Sequence, residues 1–218
     1  MKDNEIDAAM NILRRATKTM TVPYVTRLAR ETHDPFLILI STILSLRTKD
    51  SATEVASERL FQLARTPEQM VQLPWEEIAT AIRAAMYSGV KAQNIVKICR
   101  ILLDQYGGRV PDDLDQLDAL PGVGRKTANL VITLGFDKLG ICVDTHVHRI
   151  TNRWGYVKTK TPDETELALR AKLPQIYWIE INSELVAFGQ NVCVALSPKC
   201  STCPLFEYCD RVGVKQSR

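Results

Sequence analysis

The chain has no long apolar run. Its most hydrophobic stretch, Phe36 to Leu46, is broken by Ser41, Thr42 and Ser45 and falls short of the roughly 20 apolar residues a membrane-spanning helix requires. It reads as a buried helix, and no membrane partner is expected. An excess of one charge is missing too: 28 Lys and Arg against 25 Asp and Glu leave +3, which permits an acidic partner without requiring one. No charged segment leading into an apolar stretch and a small-residue cleavage site opens the sequence. A reducing, cytoplasmic location is therefore expected, at the nucleoid if the source is prokaryotic. Sustained alternation of apolar and polar residues is absent, which excludes a sheet-based fold. Neither repeats nor low-complexity tracts occur, and 45% apolar content suffices to bury a core and excludes a disordered chain.

What is present is helical from end to end, so the expected fold is all-α. Ser51 with Glu54, Thr66 with Gln69 and Thr161 with Glu164 read as capping boxes, the last two with proline at the first helical position. Ile95, Ile98, Cys99, Leu102 and Tyr106 fall at helical spacing, with Gly107 as a stop; Cys99 is thus a core residue. Further amphipathic helices are expected over Asp3 to Thr19, Trp75 to Met86, Leu114 to Ala119, Arg125 to Leu134, Thr145 to Arg153 and Trp178 to Gln190.

After Gln190 the apolar periodicity stops. Cys193, Cys200, Cys203 and Cys209, separated by six, two and five residues, lie in a segment too polar to fold by packing alone. Six cysteines in a reducing compartment favour metal over disulfides. Four thiolates hold either a tetrahedral zinc or an iron-sulfur cluster, and the spacing leaves both open. With all four positions filled by protein, such a site is structural first.

Leu114 to Phe136 reads as a short helix, the tight turn Leu120-Pro121-Gly122-Val123-Gly124, and a second helix from Arg125. The two glycines allow a close backbone approach, and the free amides of the second helix form a phosphate site without sequence preference. Lys126 is the second residue of that helix, where the macrodipole disfavours a cation. It either grips phosphate or serves as a nucleophile, which requires the neutral amine. Asp144 follows the apolar Ile141-Cys142-Val143 and stands where a helix begins. It reads as an N-cap, and capping is compatible with stabilising positive charge on a sugar ring or accepting a proton. His146 and His148 have no partner at metal-ligand or triad spacing and read as structural or phosphate-facing.

Taken together, Leu120-Pro121-Gly122-Val123-Gly124-Arg125-Lys126-Thr127-Ala128, Val143-Asp144-Thr145-His146-Val147-His148-Arg149 and the 6-2-5 cysteine spacing resemble the endonuclease III family. The likeness runs from about Pro35 through Cys209. It implies a helix-hairpin-helix DNA glycosylase fold in which a six-helix barrel domain over residues 28–138 carries the hairpin at about 114–134. Residues 1–27 and 139–218 would form a discontinuous helical domain with the cluster loop at 193–209, DNA lying in the cleft between the two. By the same likeness Cys193, Cys200, Cys203 and Cys209 hold a 4Fe-4S cluster, Lys126 is the nucleophile and Asp144 the essential carboxylate. The implied enzyme is a monomeric bifunctional glycosylase and AP lyase that removes oxidised pyrimidines from double-stranded DNA and nicks the abasic strand. Gly122, Gly124, Arg125, Lys49 and His146 match DNA-contacting positions. Arg47 and Tyr87 match those that fill the space left by the extruded base, and here the chain departs from a pattern that in many members has glutamine in place of Arg47 and a different apolar or aromatic residue in place of Tyr87. Two alternatives stand beside this: a monofunctional mismatch glycosylase, which would leave the strand uncut, and a non-catalytic iron-sulfur DNA-binding protein.

Overall fold

The computed structural model describes residues 1–218 and contains twelve α-helices, four short 3₁₀ turns and no strand. No helix is long and apolar enough to cross a membrane. The chain divides into two compact units, residues 24–138 and residues 1–23 with 139–218.

In the first unit, helix α3 (Pro35–Ser45) is apolar on every side, and Phe36 through Leu44 are all buried. Such a helix has to sit at the centre of its unit. Packed against it are α2 (Tyr24–Thr32), α4 (Asp50–Leu63), α7 (Ser88–Tyr106) and α9 (Arg125–Phe136). The short helices α5 (Pro67–Met70), α6 (Trp75–Ala81) and α8 (Leu114–Asp118) close the layer around them. Pro35 starts α3 at its first position, where no amide is needed, and the Asp34 carboxylate accepts from Phe36 N (2.9 Å) and Leu37 N (3.3 Å). On α7, Ile95, Ile98, Cys99 and Leu102 are buried as their spacing predicts, and Gly107 closes the helix by donating to Leu102 O. Burial holds the Cys99 thiol at about 12, so it is an inert core residue.

The second unit joins the chain's ends. Helix α1 (Ile6–Thr17) and α10 (Thr145–Arg153) both pack on α12 (Ile181–Asn191), and α11 (Pro162–Lys172) packs on α10. Met10, Leu13, Ile150, Trp154 and Phe188 form the centre. At its edge Arg14 pairs with Glu180 at 2.5 Å, and Tyr177 donates to Asp7 at 2.7 Å.

Several local expectations are revised. Ser51 does not cap a helix: α4 begins at Asp50, with Lys49, two residues before Ser51, at its N-cap. Asp50 instead serves a distant start, its two oxygens accepting from Tyr24 N at 3.0 and 3.1 Å, so α2 is capped from outside its own sequence. The helix expected over Trp75 to Met86 stops at Ala81, because the chain then tightens into turns that lead to a left-handed Tyr87 (φ 58). The last long helix starts at Ile181, behind a 3₁₀ turn at Gln175–Tyr177. Thr66 and Thr161 do cap α5 and α11, accepting from Gln69 N and Glu164 N.

Truncating the centre of the first unit should be costly, since Leu39 is fully buried in α3. Leu39→Ala is expected to lower unfolding free energy by about 2–5 kcal/mol. A denaturant melt showing less than about 1 kcal/mol would contradict α3 as the core.

Candidate functional site

The hairpin is built by ordinary helix-end chemistry up to its second helix, where that chemistry stops. Helix α8 is capped by Asp113, which accepts from Asp115 N (3.1 Å) and Gln116 N (3.0 Å). The turn folds back with Val123 N donating to Leu120 O at 3.0 Å, and both side chains are buried as its plug. Gly122 has φ +75, and a Cβ there would stand 2.5 Å from Asn94 Nδ2. A side chain at 122 is therefore strained by the positive φ and would push the Asn94 amide on α7 aside. Helix α9 then begins at Gly124 with no side-chain cap and no acidic residue in its first turn. Uncapped amides of this kind bind phosphate. Arg125 and Lys126 open the helix, both half-buried, and Thr127, Ala128 and Asn129 behind them are buried.

Asp144 shows the opposite treatment. Buried Ile141, Cys142 and Val143 deliver it to the start of α10, and Asn182 Nδ2 pins this approach by donating to Cys142 O at 3.1 Å. One carboxylate oxygen, Oδ1, accepts from His146 N (2.8 Å) and Val147 N (2.9 Å); Oδ2 takes no part in this cap. His146 packs on the backbone of Gly189, where a Cβ would come 2.3 Å from its Nδ1. The same Nδ1 lies 3.0 Å from Arg149 Nη2. His148 Nδ1 is 2.7 Å from Thr165 Oγ1, inside a network with Asn152 and Thr159, which makes it structural. Lys126 belongs to the unit of residues 24–138 and Asp144 to the other.

Arg47 and Tyr87, both exposed, are left-handed at φ 54 and φ 58. For bulky residues this backbone is uncommon and is held by surrounding contacts. Lys49 is exposed at the N-cap of α4.

Cys193, Cys200, Cys203 and Cys209 line one pocket together with Arg153, Trp154 and Phe188. None forms a disulfide. Arg153 Nη1 donates to Cys193 Sγ at 3.3 Å and to Val194 O at 2.8 Å, and Nη2 donates to Ala195 O at 2.5 Å. Burial pushes the Cys203 thiol up to about 11 and raises Cys209, with the neighbouring cysteines adding to both. Four thiols so placed ionise together only against a cationic core. With four thiols lining one pocket, the donor set fits a four-thiolate metal centre.

Arg149, Arg153, Asn94, Asn182 and Gly189 do not stand out in the sequence. Their partners lie on other elements, and only the arginines, spaced four apart on α10, carry a local hint.

Comparison with known proteins agrees with this geometry. Residues 40–175 match the model of the HhH-GPD superfamily of base excision DNA repair proteins, and residues 193–209 match the iron-sulfur binding domain of endonuclease III. The chain is 50% identical over 177 residues to endonuclease III of Thermotoga maritima, covering 81% of this chain and 83% of that protein. It is 38% identical over 176 residues to endonuclease III of Escherichia coli K12, with the same two coverages. A trapped covalent intermediate of endonuclease III with DNA superposes with TM-score 0.87 at 33% identity, over 97% of both chains. A thermostable thymine-DNA glycosylase superposes with TM-score 0.82 at 26% identity, over 95% of this chain and 96% of that one.

Gly122→Ala tests the hairpin, since it adds a side chain against Asn94 and strains a positive φ. The variant should lose about 1–3 kcal/mol of stability and bind any duplex more weakly. Unchanged stability together with unchanged binding to undamaged DNA would contradict the close approach at this turn.

Proposed function

Because this chain belongs to the endonuclease III family of base-excision repair proteins, we propose that Lys126 and Asp144 carry its chemistry, as nucleophile and accompanying carboxylate. The activity is that of a bifunctional DNA glycosylase and AP lyase acting on oxidised pyrimidines. The likeness to an endonuclease III trapped in covalent union with DNA carries this reading, because such a union needs a nucleophilic side chain. Lys126 supplies one, at the start of the uncapped helix behind the glycine turn.

The uncapped start of α9, with Gly122, Gly124 and Arg125, holds backbone phosphate; Lys49 and His146 add contacts. The damaged nucleotide is extruded, which costs least where pairing is already weak. Arg47 and Tyr87 enter the vacated stack. As the bond from C1′ to the base breaks, its electron pair leaves with the base, which takes up a proton. The Lys126 amine forms the new bond at C1′. Asp144 offsets the positive charge on the sugar and accepts the proton the amine releases. Opening of the sugar ring gives an iminium that acidifies the C2′ proton. Loss of that proton and departure of the 3′ phosphate nick the strand, and hydrolysis of the iminium restores the amine.

The unit of residues 24–138 brings the hairpin and the nucleophile, and the unit of residues 1–23 and 139–218 brings the carboxylate and the cluster loop. The 4Fe-4S cluster, held by Cys193, Cys200, Cys203 and Cys209, supplies four iron-thiolate cross-links to a loop with little apolar content of its own. The partner is double-stranded DNA, and the enzyme is read as a monomer of the cytoplasm or the nucleoid. A second reading, a monofunctional mismatch glycosylase, draws on the thymine-DNA glycosylase likeness and differs in leaving the strand uncut.

Borohydride reduction on a duplex bearing an oxidised pyrimidine should trap the wild type covalently and fail to trap Lys126→Ala. Equal trapping would remove Lys126 as nucleophile, and base release with no trapping or nick would favour the second reading. Asp144→Asn preserves a capping side chain and should still bind abasic DNA while losing at least about tenfold in turnover; full turnover would reduce Asp144 to a cap. Purified protein should contain iron and acid-labile sulfide at roughly four each per chain, and one zinc without sulfide would overturn the cluster.

A further inference from the structure

A lysine that the reaction does not use lies buried beneath the loops carrying Arg47 and Tyr87. Lys91, in the first turn of α7, is only 6% exposed. Its Nζ donates to Leu44 O (2.7 Å), Leu46 O (2.8 Å) and Thr48 Oγ1 (3.0 Å), which engages all three of its hydrogens. The two carbonyls belong to the last turn of α3 and the residue after it, the negative end of that helix. These partners include no carboxylate, and burial lowers the ammonium to about 8. A buried cation held by carbonyls and a hydroxyl alone is costly, and a site serving packing only would be better filled by an apolar side chain.

Thr48 extends the connection. Its hydroxyl accepts from Lys91 Nζ and from Met86 N (3.1 Å) and donates to Leu46 O (3.2 Å), so its hydrogen-bonding capacity is full. Leu46 and Thr48 flank Arg47, and Met86 immediately precedes Tyr87. The bonds that Lys91 and Thr48 make to these loops therefore end one residue away from a left-handed, exposed side chain. Each such backbone costs about 1–3 kcal/mol and persists only where its surroundings over-determine it.

We propose that Lys91, acting with Thr48, is a positioning residue that locks Arg47 and Tyr87 side by side as a preformed wedge for the stack of damaged DNA. The inference rests on the reading that these two side chains enter the duplex. Without the lock, both loops relax, and ordering them again weakens binding.

The test uses full-length, cluster-loaded protein and a duplex in which tetrahydrofuran, an uncleavable abasic analogue, replaces one nucleotide. Lys91→Met and Thr48→Val are each measured alone and in an Arg47→Ala/Tyr87→Ala background. Lys91→Met should raise Kd roughly tenfold or more with the wedge present and by less than about twofold without it. On cleavable abasic DNA, KM should rise in parallel and kcat move less. Equal weakening in both backgrounds, or none in either, overturns the proposal. If removing Arg47 and Tyr87 itself leaves Kd unchanged, the wedge reading fails and this inference with it; if that removal weakens binding and Lys91→Met does not, only the inference fails. Should Lys91→Met not fold, Thr48→Val, which leaves the lysine two carbonyl partners, decides by the same comparison.

Discussion

The first amides of an α-helix have no partner inside the helix, and what is offered to them governs this chain's chemistry. Asp34, Asp113, Asp144 and Thr161 give side-chain oxygens to α3, α8, α10 and α11. Helix α9 differs: its N-cap is glycine, its first turn has no acid, and it opens with two cations. Helix α9, whose N-cap has no side chain to offer, presents Lys126, whereas at α10 the capping group is the carboxylate of Asp144. A helix start without a capping side chain and a carboxylate held in place by helix donors are the same rule applied in opposite directions.

The cysteine segment obeys a different constraint. It has little apolar surface of its own, with Leu205 its fully buried residue, so packing cannot order it. Polar anchors hold part of it instead. Arg153 binds Cys193 Sγ, Val194 O and Ala195 O, and Arg149 Nη2 reaches Cys193 O at 3.0 Å. The cluster adds the remaining cross-links. A charged site is thus built on α10, whose opposite face contributes Val147 and Ile150 to the hydrophobic core of the unit.

Five residues other than glycine have a left-handed backbone: His33, Arg47, Tyr87, Asp137 and Arg211. Arg47 and Tyr87 adopt a backbone that bulky side chains avoid, and Asp137 adopts it at the end of α9. Asp137 closes a helix, where a left-handed residue is routine. Arg47 and Tyr87 do not close regular helices in this way, and the bonds around Lys91 and Thr48 account for their conformation.

Much of this is legible in the residues themselves. Helical periodicity announces an all-α chain, the Gly122–Gly124 turn a hairpin, Asp144 its cap, and the cysteine spacing a ligand-organised loop, because each is a pattern of neighbours along the chain. Asp50 is hidden behind the apparent cap at Ser51, since the helix it serves begins 26 residues earlier. The helix from Trp75 looks longer than it is, since what stops it is the left-handed turn ahead. Local sequence therefore determined which elements form and which chemical groups they display, for these depend on propensities and caps within a turn or two. Tertiary structure alone decided that a lysine lies under two strained loops, that Gly189 carries a histidine ring against its backbone, and that an arginine reaches a cysteine sulfur. Such contacts join segments far apart in the chain, and no local periodicity encodes which distant backbone a side chain will meet.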